Sequence, residues 1–271
     1  MRVSNKDKYI NNAINRFSGN ARDILLKQIE LFYDVDNQVT KNRYNIGDDV
    51  KLKKGTFIHG IFGELENFDF TIENGFISTD FTSEARPNKI NNSVGMWNIQ
   101  DDMMLKEYIN QYSGFTISYS IGRGPGSKTI SKLIPYHKFD EITEEINKVR
   151  FIPSLVSNKR QIAFILNMDS DYAKKLAYND VWNLDFDKET VKSFLDYRYI
   201  EKFINEDRIK RDVVTTDRES AIMFGLPINL VEGVFVGRKI EKDNKALNYI
   251  KSKLPDCYVC NLDGKVIVSN K

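Results

Sequence analysis

Cysteine and histidine are scarce in this sequence: two of each in 271 residues. A structural zinc site takes four ligands, so any such site here would have to combine the Cys257-Tyr258-Val259-Cys260 run with both His59 and His137, which lie far away along the chain. Residues three apart on an extended strand face opposite sides, which disfavours joint ligation by Cys257 and Cys260. The pair also lacks the strand-then-helix setting of a redox Cys-x-x-Cys. The expectation is two small semi-buried thiols in a reducing compartment and no metal.

Excess charge is missing too. The formal net charge is +2, so bulk electrostatics suggest neither a nucleic-acid coat nor a membrane-surface protein. No apolar run approaches the roughly 20 residues of a membrane-spanning helix. The opening stretch, Met1 to Phe17, is polar and lacks the apolar centre of a signal peptide. The expected location is cytoplasmic, or that of an effector delivered without a classical signal. There is no internal repeat and no low-complexity tract.

What remains is ordinary globular material, 41% hydrophobic and 29% charged. Residues 6–34 keep helical spacing through Ile10, Ile14, Phe17, Ile24, Leu25, Ile29 and Phe32, with a break at Ser18-Gly19-Asn20, which predicts two helices. Residues 34–49 read as a polar loop. Helices are further predicted over 140–147, 170–178, 189–207 and 244–254, and strands over 115–121, 148–151, 162–166, 230–237, 258–261 and 266–268. Trp182 reads as core, and Arg208, Lys210 and Arg211 as a solvated basic turn.

The stretch that organises these elements runs from Gly55 to Phe81. Thr56-Phe57-Ile58 and Phe76-Ile77 are β-branched and aromatic and are bracketed by glycines, so both read as strands. Between them, Leu65, Phe68 and Ile72 recur at helical spacing. The predicted unit is strand, helix, strand, with His59-Gly60 ending one strand and Ser78-Thr79 ending the other. This unit resembles the nucleotide-gripping half of the ADP-ribosyltransferase fold, in its histidine branch. The resemblance implies that His59 and Gly60 contact the nicotinamide ribose of NAD and that Ser78 and Thr79 shape the pocket. The plainer alternative is a turn histidine beside a glycine.

Met96-Trp97 reads as the opening of a helix through Met103, Leu105, Tyr108 and Ile109, with Gly114 ending it. This helix and the strand after it resemble a set of bacterial proteins, some tied to abortive phage infection, that carry a Met-Trp helix and a late Glu strand. Here Asn98 and Ile99 replace the polar-aromatic residues usual after the Trp.

Gly122 to Thr129, GRGPGSKT, comes close to a phosphate-binding P-loop, with Lys128 and Thr129 in place after a strand and Asp169 downstream as a magnesium candidate. Against that reading, Pro125 removes an N–H donor and Ser127 adds a Cβ where the loop must turn tightly. The alternative is a glycine-rich hairpin loop.

The last candidate is Glu219, placed by the run from Arg218 to Pro227 at the mouth of an apolar strand. The resemblance implies that such a late Glu bonds the ribose 2′-OH of NAD and stabilises the oxocarbenium-like state as nicotinamide leaves. Ala221 stands where many toxins of the family carry a paired Glu or Gln, which argues against arginine as the acceptor. A strand-start charge paired with Arg218 is the structural alternative. Glu232 is the competing carboxylate and reads as an edge-exposed structural residue.

The sequence and its resemblance together imply an α+β protein with a split, mostly antiparallel β core: an N-terminal helical segment, 1–49, packed on an ADP-ribosyltransferase-like domain, 50–271. The resemblance implies an NAD-dependent mono-ADP-ribosyltransferase, of toxin, effector or phage-defence type. NAD is its substrate, Glu219 is catalytic, and His59, Gly60, Ser78, Thr79 and Tyr119 bind the dinucleotide. No metal or membrane is involved, and the acceptor macromolecule is open. The alternatives are an inactive module of the same fold and a P-loop-like NTPase using Lys128-Thr129.

Overall fold

The computed structural model describes residues 5–16, 19–34, 39–61, 65–77, 93–112, 114–121, 128–135, 150–153, 161–178 and 219–270. In chain order these begin with α1 (Asn5–Arg16), α2 (Gly19–Phe32), β1 (Lys51–Leu52), β2 (Phe57–Ile61), α3 (Leu65–Asn74), β3 (Phe76–Ile77) and β4 (Ser93–Asn98). Next come β5 (Met103–Met104), α4 (Leu105–Tyr112), β6 (Gly114–Ile121), β7 (Lys128–Pro135), β8 (Arg150–Pro153), β9 (Ile162–Leu166) and α5 (Asp171–Tyr178). The last are β10 (Glu219–Met223), β11 (Gly225–Leu226), β12 (Val231–Val236), α6 (Arg238–Glu241), α7 (Asn244–Lys253), β13 (Tyr258–Cys260) and β14 (Val266–Val268). The fold is α+β, with antiparallel ladders and, among the described residues, a parallel pairing of β12 with β13. Among the described residues no helix is long and apolar enough to cross a membrane. The regions read as helices over 140–147 and 189–207, with Trp182, Arg208, Lys210 and Arg211, lie outside the described residues.

The chain divides into two units. The first comprises Met1–Thr40, Thr71–Gln100 and Asn167–Leu230; the second comprises Lys41–Phe70, Asp101–Leu166 and Val231–Lys271.

In the first unit the expected break between the N-terminal helices is present, and Gly19 takes a left-handed φ of 57° there. Tyr9 and Ala13 of α1 and Leu25, Ile29 and Phe32 of α2 face inward, whereas Ile14, expected on the apolar stripe of the first helix, is 47% exposed. Tyr9, Ala13, Leu25, Ile29 and Phe32 form one buried cluster with Ile77, Met223 and Phe224. Gln28 is fully buried, and its side-chain amide donates to the carbonyls of Leu176 and Gly225, at 3.3 and 3.5 Å. Two antiparallel ladders complete the unit, β10 with β4 and β11 with β3.

Met96-Trp97 does not open a helix. Both residues lie within β4, where Val94 and Met96 alternate as buried positions and all five residues of β10 pair across. The helix begins only at Leu105, in the second unit. There Glu107 reaches back to accept the Met104 N–H at 3.2 Å, one half of a capping box.

The second unit is built on strands that neighbour one another in the order β2, β9, β12, β13, β14. Every residue of β9 is buried, as its unbroken apolar sequence Ile162-Ala163-Phe164-Ile165-Leu166 requires of a strand covered on both faces. Phe68 of α3 stacks on Phe164, with ring centroids 5.8 Å apart and planes within 4°. A separate antiparallel ladder runs β7, β6, β8.

That ladder corrects the P-loop alternative. Lys128 and Thr129 open β7, which folds back antiparallel on β6 with Ile121 opposite Lys128 and Ser120 opposite Thr129. A P-loop needs a helix N-terminus at that point, because the helix aims its first N–H groups at the phosphates. A hairpin supplies none. Asp169 is exposed and pairs with Lys174 at 3.4 Å.

Candidate functional site

His59, Gly60, Tyr119, Glu219 and Glu232 each lie on a described strand. His59 lies inside β2, not at its end, because the strand continues through Gly60 to Ile61. Phe57, Ile58, Gly60 and Ile61 are buried, and His59 is the one half-open position of the strand. Its ladder partner is Phe164, the residue on which Phe68 stacks. Gly60 pairs with Ala163, so two of the smallest residues meet where the strands lie side by side. The imidazole thus belongs to a strand face lined with aromatic and aliphatic groups. Ser78 and Thr79 lie outside the described residues.

Glu219 is the first residue of β10, as the sequence suggested, and its ladder partner is Trp97. Trp97 is half-buried. Sequence reasoning did not connect the two, since they are far apart in the chain and Trp97 read as helical. Directly opposed residues of an antiparallel pair sit within about 4.5–5.5 Å of each other at Cβ, and the register sets Trp97 directly opposite Glu219. Tyr119, the aromatic expected to stack on nicotinamide, occupies β6 opposite Ile130.

The strand that Glu219 opens ends in an unusual corner. Phe224 is fully buried with φ at 64°, a conformation that bulky L-residues rarely adopt. Gly225 follows with φ at 149°, and a Cβ added there would fall 1.8 Å from the Phe76 carbonyl oxygen. The corner moves the chain from its pairing with β4 to its pairing with β3.

Glu232 is not an edge-exposed residue. It lies in β12, which is flanked by β9 on one side and β13 on the other, and it is only 4% exposed. Pro227, which suggested an edge, stands before the strand in a turn where its carbonyl accepts the Leu230 N–H at 3.3 Å. A register shift between Val231 and Gly233 marks a bulge at Glu232, and bulges re-aim side chains. The carboxylate accepts the Asn42 side-chain amide at 2.8 Å and the Asn42 backbone N–H at 3.4 Å. Across from Gly233 lies Tyr258, fully buried. Burial pushes its phenol well above the usual range, and the Glu232 carboxylate acts in the same direction.

Both cysteines are buried more completely than expected. The Cys257 thiol donates to the Val231 carbonyl at 3.2 Å and the Cys260 thiol to the Val234 carbonyl at 3.5 Å. Burial raises both thiol pKa values, which keeps them protonated and poorly reactive. Among the described residues no group of three or more His, Cys, Asp or Glu side chains is placed to hold a metal ion.

Comparison with protein-family models, with curated proteins and with solved structures returned no match.

Proposed function

We propose that this chain binds NAD and transfers its ADP-ribose unit to an acceptor. In this reading the bond between the nicotinamide nitrogen and the ribose C1′ breaks, and nicotinamide leaves with the bonding pair. Positive charge develops on the ribose. The Glu219 carboxylate, bonded to the ribose 2′-OH, stabilises that charge where it forms. An acceptor nucleophile then bonds C1′ and gives up a proton. The resemblance assigns His59, Gly60, Ser78, Thr79 and Tyr119 to the dinucleotide, and Trp97, the ladder partner of Glu219, is a further aromatic candidate for nicotinamide. No step calls for a metal.

The observation that carries the reading is the position of Glu219 as the opening residue of an apolar antiparallel strand with an aromatic as its ladder partner. The half-open position of His59 in an otherwise buried strand supports it. With Ala221 two residues after Glu219, the acceptor is a group other than arginine, such as another protein side chain, a nucleic acid or water.

The test is nicotinamide release from NAD by wild type, Glu219→Gln and His59→Ala. Thermal stabilisation by NAD is recorded on the same samples, because a ligand that binds only the folded state raises the melting temperature. Glu219→Gln should lower kcat by about 100- to 1,000-fold, the usual loss when one charge-stabilising group is removed, and should keep the thermal shift. His59→Ala should raise KM. A wild type that is stabilised by NAD but does not cleave it would assign the chain as a binding module. Cleavage undiminished in Glu219→Gln would refute the assignment of the catalytic group.

A further inference from the structure

We propose that Phe224, held by the two N-terminal helices, is a positioning residue that sets the register of β10 and so fixes where Glu219 stands. The functional half of this inference rests on the NAD reading; the structural half does not.

The argument starts from the backbone. A side chain with a Cβ in left-handed conformation is costly and persists only where the surroundings over-determine it. Here they do. The Phe224 ring meets Phe32 of α2 edge-on at 5.1 Å and Tyr9 of α1 at 5.6 Å, both T-shaped. Leu25, Ile29 and Met223 close the same cluster, with all eight of its core residues less than 9% exposed. α1 and α2 therefore form the socket for one strained residue.

That residue lies at a junction of two ladders. Before it, Met223 pairs with Ser93 and Glu219 with Trp97. After it, Gly225 pairs with Ile77. The Phe76 carbonyl leaves no room for any side chain at Gly225, so that half of the corner cannot slide. Strand side chains alternate between faces, and a slip of one residue carries every side chain to the opposite face. A corner pinned at Phe224 prevents this slip along β10. The ring acts five residues from the carboxylate, through the strand, without touching substrate.

Four full-length proteins test this: wild type, Phe224→Gly, Phe32→Leu, and Val234→Ala as a destabilised control in β12. Phe224→Gly tolerates the same backbone angle but removes the ring; Phe32→Leu keeps apolar bulk in the socket. Native-state amide exchange is read at residues 220–223 and at 162–166, and NAD turnover is resolved into kcat and KM. Phe224→Gly should speed exchange at 220–223 by tenfold or more while 162–166 stays within twofold. It should lower kcat at least tenfold with KM within twofold. Phe32→Leu should fall between it and wild type, and Val234→Ala should not reproduce the selective pattern. Exchange that rises equally in both stretches, or that stays unchanged at 220–223, would overturn the proposal. If wild type cleaves no NAD yet Phe224→Gly loosens 220–223 selectively, the anchor stands and only the NAD reading falls.

Discussion

Gly233→Ala is the sharpest probe of the second unit, because the added methyl group has a known neighbour. A Cβ built on Gly233 would lie 2.3 Å from both Cε2 and Cζ of Tyr258. Carbon atoms rest at about 3.5–4.0 Å, so the ring would have to retreat by more than an ångström. Its retreat is hindered, since the Tyr44 ring meets it edge-on at 4.7 Å. Overpacking of this kind costs about 1–3 kcal/mol, and loss of the aromatic pair adds about 0.5–1.5 kcal/mol. The sum, about 1.5–4.5 kcal/mol, corresponds to a fall in melting temperature of about 3–18 °C for a chain of this size. Urea denaturation followed by circular dichroism would measure it. Tyr258→Leu should relieve the clash, so the double variant should be more stable than the sum of the two single losses by about 1–3 kcal/mol. Strictly additive losses, or a Gly233→Ala cost within about 0.5 kcal/mol of zero, would show that the ring does not lie across that glycine.

Two further predictions concern the same sheet. Glu232→Ala should cost about 1–3 kcal/mol, because the Asn42 amide and N–H lose their acceptor. Glu232→Gln should cost less, since its carbonyl oxygen still accepts; equal losses in denaturant titrations would contradict this. Stability should also fall as pH rises through 9 and 10. Cys260 and Tyr258 carry folded-state pKa values raised above their ordinary 9.0 and 10.0 by burial, so the unfolded chain sheds protons that the folded chain keeps. The stability they contribute is whole below those ordinary values and is lost above them. Cys260→Ala should flatten the fall between pH 9 and 10, measured as melting temperature across pH 8 to 11; an unchanged slope would remove Cys260 as its source.

Periodicity was a good guide wherever one element explained its own sequence. The helix pair broken at Gly19, the run of α3 through Phe68, and the wholly apolar β9 are each legible because burial imposes a repeat on the residues themselves. Partners far along the chain left no such mark. Met96 and Trp97 resemble the start of a helix until β10, more than a hundred residues later, pairs with them. Glu232 looks like an exposed charge until a bulge and Asn42 are seen to bury it. Lys128-Thr129 resembles a phosphate loop until its strand folds back on β6. Of the candidate site, Glu219 at a strand opening was legible. Trp97 as its ladder partner was not, since register is a property of two strands and neither sequence alone states it.

The order in which the two units draw on the chain bears on how the protein is made. The peptide passes from one unit to the other at residues 40/41, 70/71, 100/101, 166/167 and 230/231. No uninterrupted fragment contains either core, so a truncation meant to isolate one would remove part of both. During synthesis the ladder between β2 and β9 cannot form until β9 emerges, since Phe57 pairs with Leu166, 109 residues further on. Closure over such distances slows folding and leaves apolar strand edges uncovered meanwhile, and a nascent chain in that state is a natural client for a chaperone.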